Sequence, residues 1–185
     1  MKWLILAPVS FAFTLMAILL APVLALFVQK DKYLPNCLWW FQTPDNPAVG
    51  DAQYRYTDMM WTDSSYLHAL FWLARNPAYG FDHAVGAKIK EGFMYRWEGD
   101  EATSNAPLHN GWLWRTVTNT DGSRYWNFYY VRAWSATRCI KINLGWKLWR
   151  EIRPEFMGLN GKVPDLLPGQ VRQLVCTINP FTKRS

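Results

Sequence analysis

Histidine and cysteine are scarce in this 185-residue chain, three of each, and neither falls at ligand spacing. There is no His-x-x-x-His or Cys-x-x-Cys pair, so the usual sequence signs of a zinc site are missing. Ser64, Ser65 and Ser135 lie in no Gly-x-Ser-x-Gly elbow, and neither a phosphate loop nor a dinucleotide fingerprint occurs. No cofactor and no metal is expected on these grounds, and no catalytic residue stands out. Low-complexity tracts, long linkers and repeats of useful length are also lacking, which leaves room for one compact body.

The most telling absence is charge: no side chain from Trp3 to Val28 is ionisable, and the stretch is almost entirely Leu, Ala, Val, Ile, Phe and Pro. A helix needs only about 20 such residues to cross a bilayer. A cleaved signal peptide is the alternative, with Val23-Leu24-Ala25 as a cleavage region. Its apolar core usually runs only about 7–15 residues, however, and the longer stretch favours a retained anchor over residues 1–29. Pro8 and Pro22 lie near the two ends, where a lost backbone hydrogen bond is easiest to replace. Lys2 on one side faces Lys30 and Lys32 on the other, close to a tie in orientation. The net charge of +6 and the odd number of cysteines, Cys37, Cys139 and Cys176, favour a cytoplasmic body, because exported domains more often pair their cysteines. One disulfide with a spare thiol in the periplasm stays open.

Residues 30–185 are expected to form a single α+β domain. From Tyr33 to Asp63, Pro35, Pro44-Asp45-Asn46-Pro47 and Gly50-Asp51 break any regular element, predicting an ordered irregular loop around the apolar cluster Leu38-Trp39-Trp40-Phe41. That cluster belongs either in the core or at headgroup level. Oxygen donors in Gln42–Pro47 and Asp51 invite a calcium or magnesium reading, but they lack the alternation and terminal Glu of an EF-hand and fit turn chemistry. A helix is predicted from an N-cap at Asp63 or Ser64 to Arg75, ended by Pro77. It is apolar on nearly every face, so it is buried or lies in the membrane interface.

Period-two alternation begins after Lys88, clearest in Ile140, Ile142, Leu144, Trp146 and Leu148. Strands are predicted at Gly92–Glu98, Gly111–Thr118, Arg124–Trp134, from Ile140, and at Val171–Ile178. A hairpin through Asn119-Thr120-Asp121-Gly122-Ser123 joins the second to the third. The sum is an antiparallel sheet of about five strands with one packed helix behind an N-terminal membrane helix.

Three stretches, Leu38-Trp39-Trp40-Phe41-Gln42-Thr43-Pro44-Asp45-Asn46, then Leu70-Phe71-Trp72-Leu73-Ala74-Arg75-Asn76-Pro77-Ala78-Tyr79-Gly80-Phe81, and Ile178-Asn179-Pro180-Phe181, resemble a family of uncharacterised proteins of tailed bacteriophages and prophages. The resemblance implies a phage setting and a host inner membrane, and no catalytic residue.

Binding candidates follow from residue type. Arg75, Asn76 and Asp82 sit on a rigid turn after the apolar helix, with His83 beside them. The plain alternative is that Asn76 and Pro77 stop the helix while Arg75 pairs with a carboxylate such as Asp82. Trp39 and Trp40 are candidates at the membrane surface. In the strand at 124–134, Trp126, Phe128, Tyr130 and Trp134 share a face with Arg124 and Arg132, making Trp126 and Arg132 candidates too. With twelve Trp, nine Tyr and ten Phe, three partners compete for such a face. A lipid bilayer would be met by aromatics and by Lys141, Lys147, Arg150 and Arg153. A host or phage membrane protein would use aromatic and Arg anchors. Single-stranded nucleic acid is the weakest of the three, since no RNA-binding sheet motif occurs. Binding without catalysis is the expected activity. The alternative is a membrane-bound enzyme acting on a lipid or cell-wall precursor, with Arg75, Asp82 and His83, or Asp45 and Asp51, around a pocket.

Overall fold

The structure is a computed structural model that describes residues 2–42, 48, 65–104, 108–148, 169 and 171–184. The expected oxygen-rich turn at Asp45, Asn46 and Asp51, the N-cap at Asp63 or Ser64, and the cations Arg150 and Arg153 lie outside the described residues. The chain divides into two compact units, Met1–Val85 and Gly86–Ser185.

The first unit is built on α1, Lys2–Leu24, extended by a 3-10 turn at Ala25–Phe27. The helix Lys2–Phe27 is long and apolar enough to span a membrane. Its buried positions are Ala7, Ser10, Ala17, Ala21 and Leu24, with half-buried Thr14 completing a three-four-three-four-three spacing along one side. Small side chains in such a stripe let another helix backbone approach closely. That partner is α2, Ser65–Arg75. Its buried Ala69, Trp72 and Leu73, with half-buried Tyr66 and Leu70, fall on one helical face and close a core with Ala21, Leu24, Ala25, Leu34 and Ala48. The Tyr66 hydroxyl donates to the Pro22 carbonyl (3.1 Å), so α2 begins beside the end of α1.

As anticipated, α2 stops before Pro77. Asn76 closes it with its own backbone N–H (2.9 Å) and its Nδ2 (3.2 Å), both donating to the Trp72 carbonyl. Ala78 then takes a left-handed conformation (φ 58°) and starts a helix that propensity did not signal, α3, Tyr79–Ala84. Leu38–Phe41, expected as irregular loop, lies within a 3-10 helix, Asn36–Phe41. Gln42 ends that helix, and its Oε1 accepts from the Leu34 backbone (2.6 Å).

The second unit carries the expected antiparallel sheet, in the order β2-β3-β4-β5-β7. Its strands are β2 (Met94–Gly99), β3 (Gly111–Thr118), β4 (Arg124–Ala133), β5 (Arg138–Trp146) and β7 (Leu174–Lys183). A separate two-stranded sheet pairs β1 (Ala87–Lys88) with β6 (Val171–Arg172). The predicted single strand from Val171 is thus two strands in two sheets, parted at Gln173. The β3–β4 hairpin has the foreseen loop: Gly122 supplies φ 79°, and Asn119 bonds Ser123 across it. Asn119 also accepts from the Lys90 N–H (3.1 Å) and donates to the Lys88 carbonyl (2.8 Å), fastening the hairpin to the segment after β1. A register shift interrupts β5–β7 between Cys139 and Lys141, opposite Asn179 to Thr182.

Candidate functional site

Two groups of side chains combine chemistry with a built environment, one in each unit.

In the first unit, Ser10 and Asp82 meet. The Ser10 hydroxyl donates to the Asp82 carboxylate at 2.6 Å, and both residues are only 8 % exposed. A carboxylate buried against an apolar helix needs such a donor, because leaving it bare would cost several kcal/mol. Asp82 reaches Ser10 because α3 is pressed onto the 3-10 helix at Asn36–Phe41 through Gly80. A Cβ at Gly80 would collide with the Trp39 carbonyl oxygen and lie 2.9 Å from the Trp40 Cα, so only glycine permits this contact. Around the junction Phe13 stacks on Phe81 (4.5 Å between centroids) and tilts against Phe41 (5.8 Å) and Trp40 (6.4 Å). Trp39 and Trp40 therefore form part of an aromatic joint with α1 and α3, with Trp40 still exposed.

Arg75 lies at the end of α2 with its guanidinium 5.6 Å from the Trp72 ring, a cation–π distance. The predicted cluster of Arg75, Asn76 and Asp82 is divided between the end of α2 and the separate helix α3, and its three members do different work. Asn76 is a helix stop, Arg75 covers an indole, and Asp82 is held by α1. Ser10 is the partner that sequence reading missed; its signal was a hydroxyl within a three-four spacing of alanines.

In the second unit, strand alternation sorts the sheet into unlike faces. One carries Leu113, Arg115, Val117, Asn127, Tyr129, Val131, Cys139 and Asn143, all buried. A polar relay runs through it. Arg115, 2 % exposed, donates to Ser104 Oγ (2.6 Å) and Asn127 Oδ1 (3.4 Å). Asn127 Nδ2 in turn donates to Asn143 Oδ1 (2.8 Å) and the Leu144 carbonyl (3.1 Å). Burial lowers the Arg115 guanidinium from its ordinary value, and burial raises the neighbouring Tyr129 phenol. Sequence alternation put Asn127 and Tyr129 on one face but gave no sign that an arginine would join them inside.

The opposite face is aromatic and half open. Trp114 stacks flat on Trp126 (5.1 Å, 10°) and tilts against Phe128, while Trp146 meets Trp126 edge-on (6.2 Å). Gly145, at φ 102°, lets β5 pass beneath the Trp126 carbonyl and ring, where a side chain would clash. Exposed Trp112 and Arg132 and half-buried Tyr130 continue the face. Trp126 and Arg132 thus share a surface, as alternation predicts. Trp134 falls beyond β4, with its indole N–H donating to the Pro180 carbonyl (2.8 Å) and its ring edge-on to Phe181. Lys147 is occupied by Gln173 Oε1 (2.7 Å).

Cys37, Cys139 and Cys176 form no disulfide; the first and last are exposed and Cys139 is buried. Among the described residues no three His, Cys, Asp or Glu side chains gather as a metal site would require. No curated protein and no solved structure matches the chain. Sequence comparison is informative at the family level alone: over residues 1–185 the chain belongs to a family of unknown function, DUF7338.

Proposed function

We propose that this is a membrane-anchored accessory protein of a phage or prophage, acting at the bacterial inner membrane by binding a protein or lipid partner and not by turnover. The observation that carries the membrane part is the inverted surface of α1. Its small and hydroxyl-bearing residues face α2 and α3, while Leu4, Ile5, Leu19 and Leu26 stand outward at 69–77 % exposure. In water such a surface invites aggregation; in hydrocarbon it is the expected arrangement. The packing of α1 into the core of its unit supports a retained helix over a cleaved signal, since its loss would strip Ala69, Trp72 and Leu73 of their cover. The phage setting rests on the resemblance of the Leu38–Asn46, Leu70–Phe81 and Ile178–Phe181 stretches.

The half-open aromatic face of Trp112, Trp114, Trp126 and Tyr130 with Arg132 supports the binding part, because aromatic and Arg groups dominate interface energetics. Asp82 is turned onto Ser10, which supports a positioning role for that carboxylate over attack on a substrate. Two measurements test the reading. After alkaline carbonate washing, the full-length protein should stay with membranes, and recovery in the soluble fraction would refute the anchor. A photo-crosslinking residue at Trp112 in the full-length chain should capture a discrete protein or lipid; the absence of any adduct would refute the binding face.

A further inference from the structure

We infer that the first unit enters the bilayer from one side, with α1 lying along the membrane plane beneath α2 and α3 rather than crossing it; the inference rests on the membrane reading above. Three observations lead there.

The first is how far the polar elements travel with α1. The Tyr66–Pro22 hydrogen bond joins the start of α2 to one end of α1, and the Ser10–Asp82 hydrogen bond joins α3 to a point 12 residues earlier. Twelve residues of α-helix span about 18 Å, more than half the roughly 30 Å of hydrocarbon in a bilayer. Were α1 upright, α2 and α3 would be carried to that depth. Arg75, with an exposed side chain, and half-buried His83 would then stand near mid-bilayer. Charge there is among the least tolerated placements in a membrane protein. Laid flat, the same unit holds α2 and α3 on the water side of α1, at headgroup level, where Arg and Trp are favoured.

The second is the symmetry of the two ends. Lys2 is exposed at one end of α1, and Lys30 and Lys32 are exposed beyond the other. An upright helix takes its orientation from a difference between its flanks, and here the difference is nearly nil. A helix in the plane needs none, because both ends meet the same anionic headgroups. Pro8 and Pro22, close to the two ends, allow each to bend toward that surface.

The third is the direction of the lipid-facing side. Leu4, Ile5, Leu15, Leu19 and Val23 are exposed on the side of α1 opposite the Ala7, Ser10, Ala17, Ala21 stripe, and exposed Phe11, Ile18 and Leu20 carry the apolar surface round both flanks. The apolar surface thus points away from α2 and α3, which is the polarity of a one-sided insertion: acyl chains below, α2 and α3 above.

The test places one added cysteine at a time at the two exposed ends, Lys2→Cys and Lys30→Cys, in the full-length chain with Cys37 and Cys176 changed to Ser and only the buried Cys139 retained. Sealed right-side-out and inside-out vesicles of bacterial inner membrane are treated with a membrane-impermeant maleimide. In-plane insertion gives labelling of both cysteines in the same vesicle preparation and protection of both in the other, a ratio of many-fold in one direction. Labelling of the two in opposite preparations would establish an upright α1 and overturn the inference while leaving the anchor intact. Release of the protein from the same vesicles by carbonate would overturn the inference and the membrane reading together.

Discussion

Replacing Gly80 with alanine should destabilise the first unit, against the ordinary rule for helices. Within a helix this exchange usually stabilises by about 0.8–1 kcal/mol through backbone entropy. Gly80 lies inside α3 without an unusual φ, so the rule would apply if the site were open. It is closed. The new methyl would strike the Trp39 carbonyl oxygen, with the Trp40 Cα 2.9 Å and the Gln42 carbonyl oxygen 3.0 Å away. All three are backbone atoms, which no rotamer change can withdraw, so α3 must move off the 3-10 helix. Overpacking of this kind costs about 1–3 kcal/mol, and here the aromatic joint of Phe13, Phe81 and Trp40 opens with it. For a chain of this size that is a fall of roughly 2–12 °C in melting temperature. Tryptophan-detected thermal unfolding of the detergent-solubilised full-length protein reads it. Gly122→Ala is the control, because nothing lies within 4 Å of its would-be Cβ and only its positive φ is strained. Equal or greater stability for Gly80→Ala would refute the close-approach reasoning.

Ser10→Ala should cost about 1–3 kcal/mol by removing the donor to a buried carboxylate, and a Ser10→Ala, Asp82→Ala cycle should show coupling; additive effects would mean that the two do not interact. Asn127→Ala should destabilise the second unit by about 1–3 kcal/mol for each buried polar atom that loses its partner, Arg115 Nη1 and Asn143 Oδ1 among them, as read by denaturant unfolding. Hydrogen bonds from Lys90 and then Ser123 hold the Asp121 carboxyl below the usual carboxylate range. Its contribution is therefore present above about pH 4, the ordinary carboxylate value, and is lost as pH falls toward the depressed one. Asp121→Asn should accordingly flatten the acid limb of the stability profile, more at low salt than at high, since the Lys90–Asp121 pair is exposed.

What the sequence made legible was periodic. β-Favouring aromatics on either side of the Asp121-Gly122 loop located β3 and β4 within a residue, and Pro77 ended α2. What stayed hidden depends on partners distant in the chain. α3 is six residues long and begins from a left-handed Ala78, so it exists through its contact with Trp39 and Trp40 and not through propensity. The β1–β6 pair is two residues a side and far apart in sequence, below any periodic signal. The candidate residues divide in the same way. Trp126 and Arg132 were placed by alternation alone, whereas the role of Asp82 required knowing that residue 10 lies against residue 82. Arg115 defeated residue-type reasoning, because arginine is seldom buried and nothing local announced Ser104 and Asn127 as its neighbours.

The irregularity opposite Asn179 to Thr182 has a consequence for the fidelity of assembly. Val175 is buried and Cys176 exposed, so a slide of β7 by one residue along β5 would turn a thiol inward and a valine outward. A regular ladder resists such a slide by side-chain fit alone. The bulged segment contains Pro180, which has no N–H to offer a shifted partner, and it seats Arg138 Nη1 on the Phe181 carbonyl (2.8 Å) and the Trp134 indole on the Pro180 carbonyl. These contacts form in one alignment only, and they act as a vernier that rejects misregistered strands during folding.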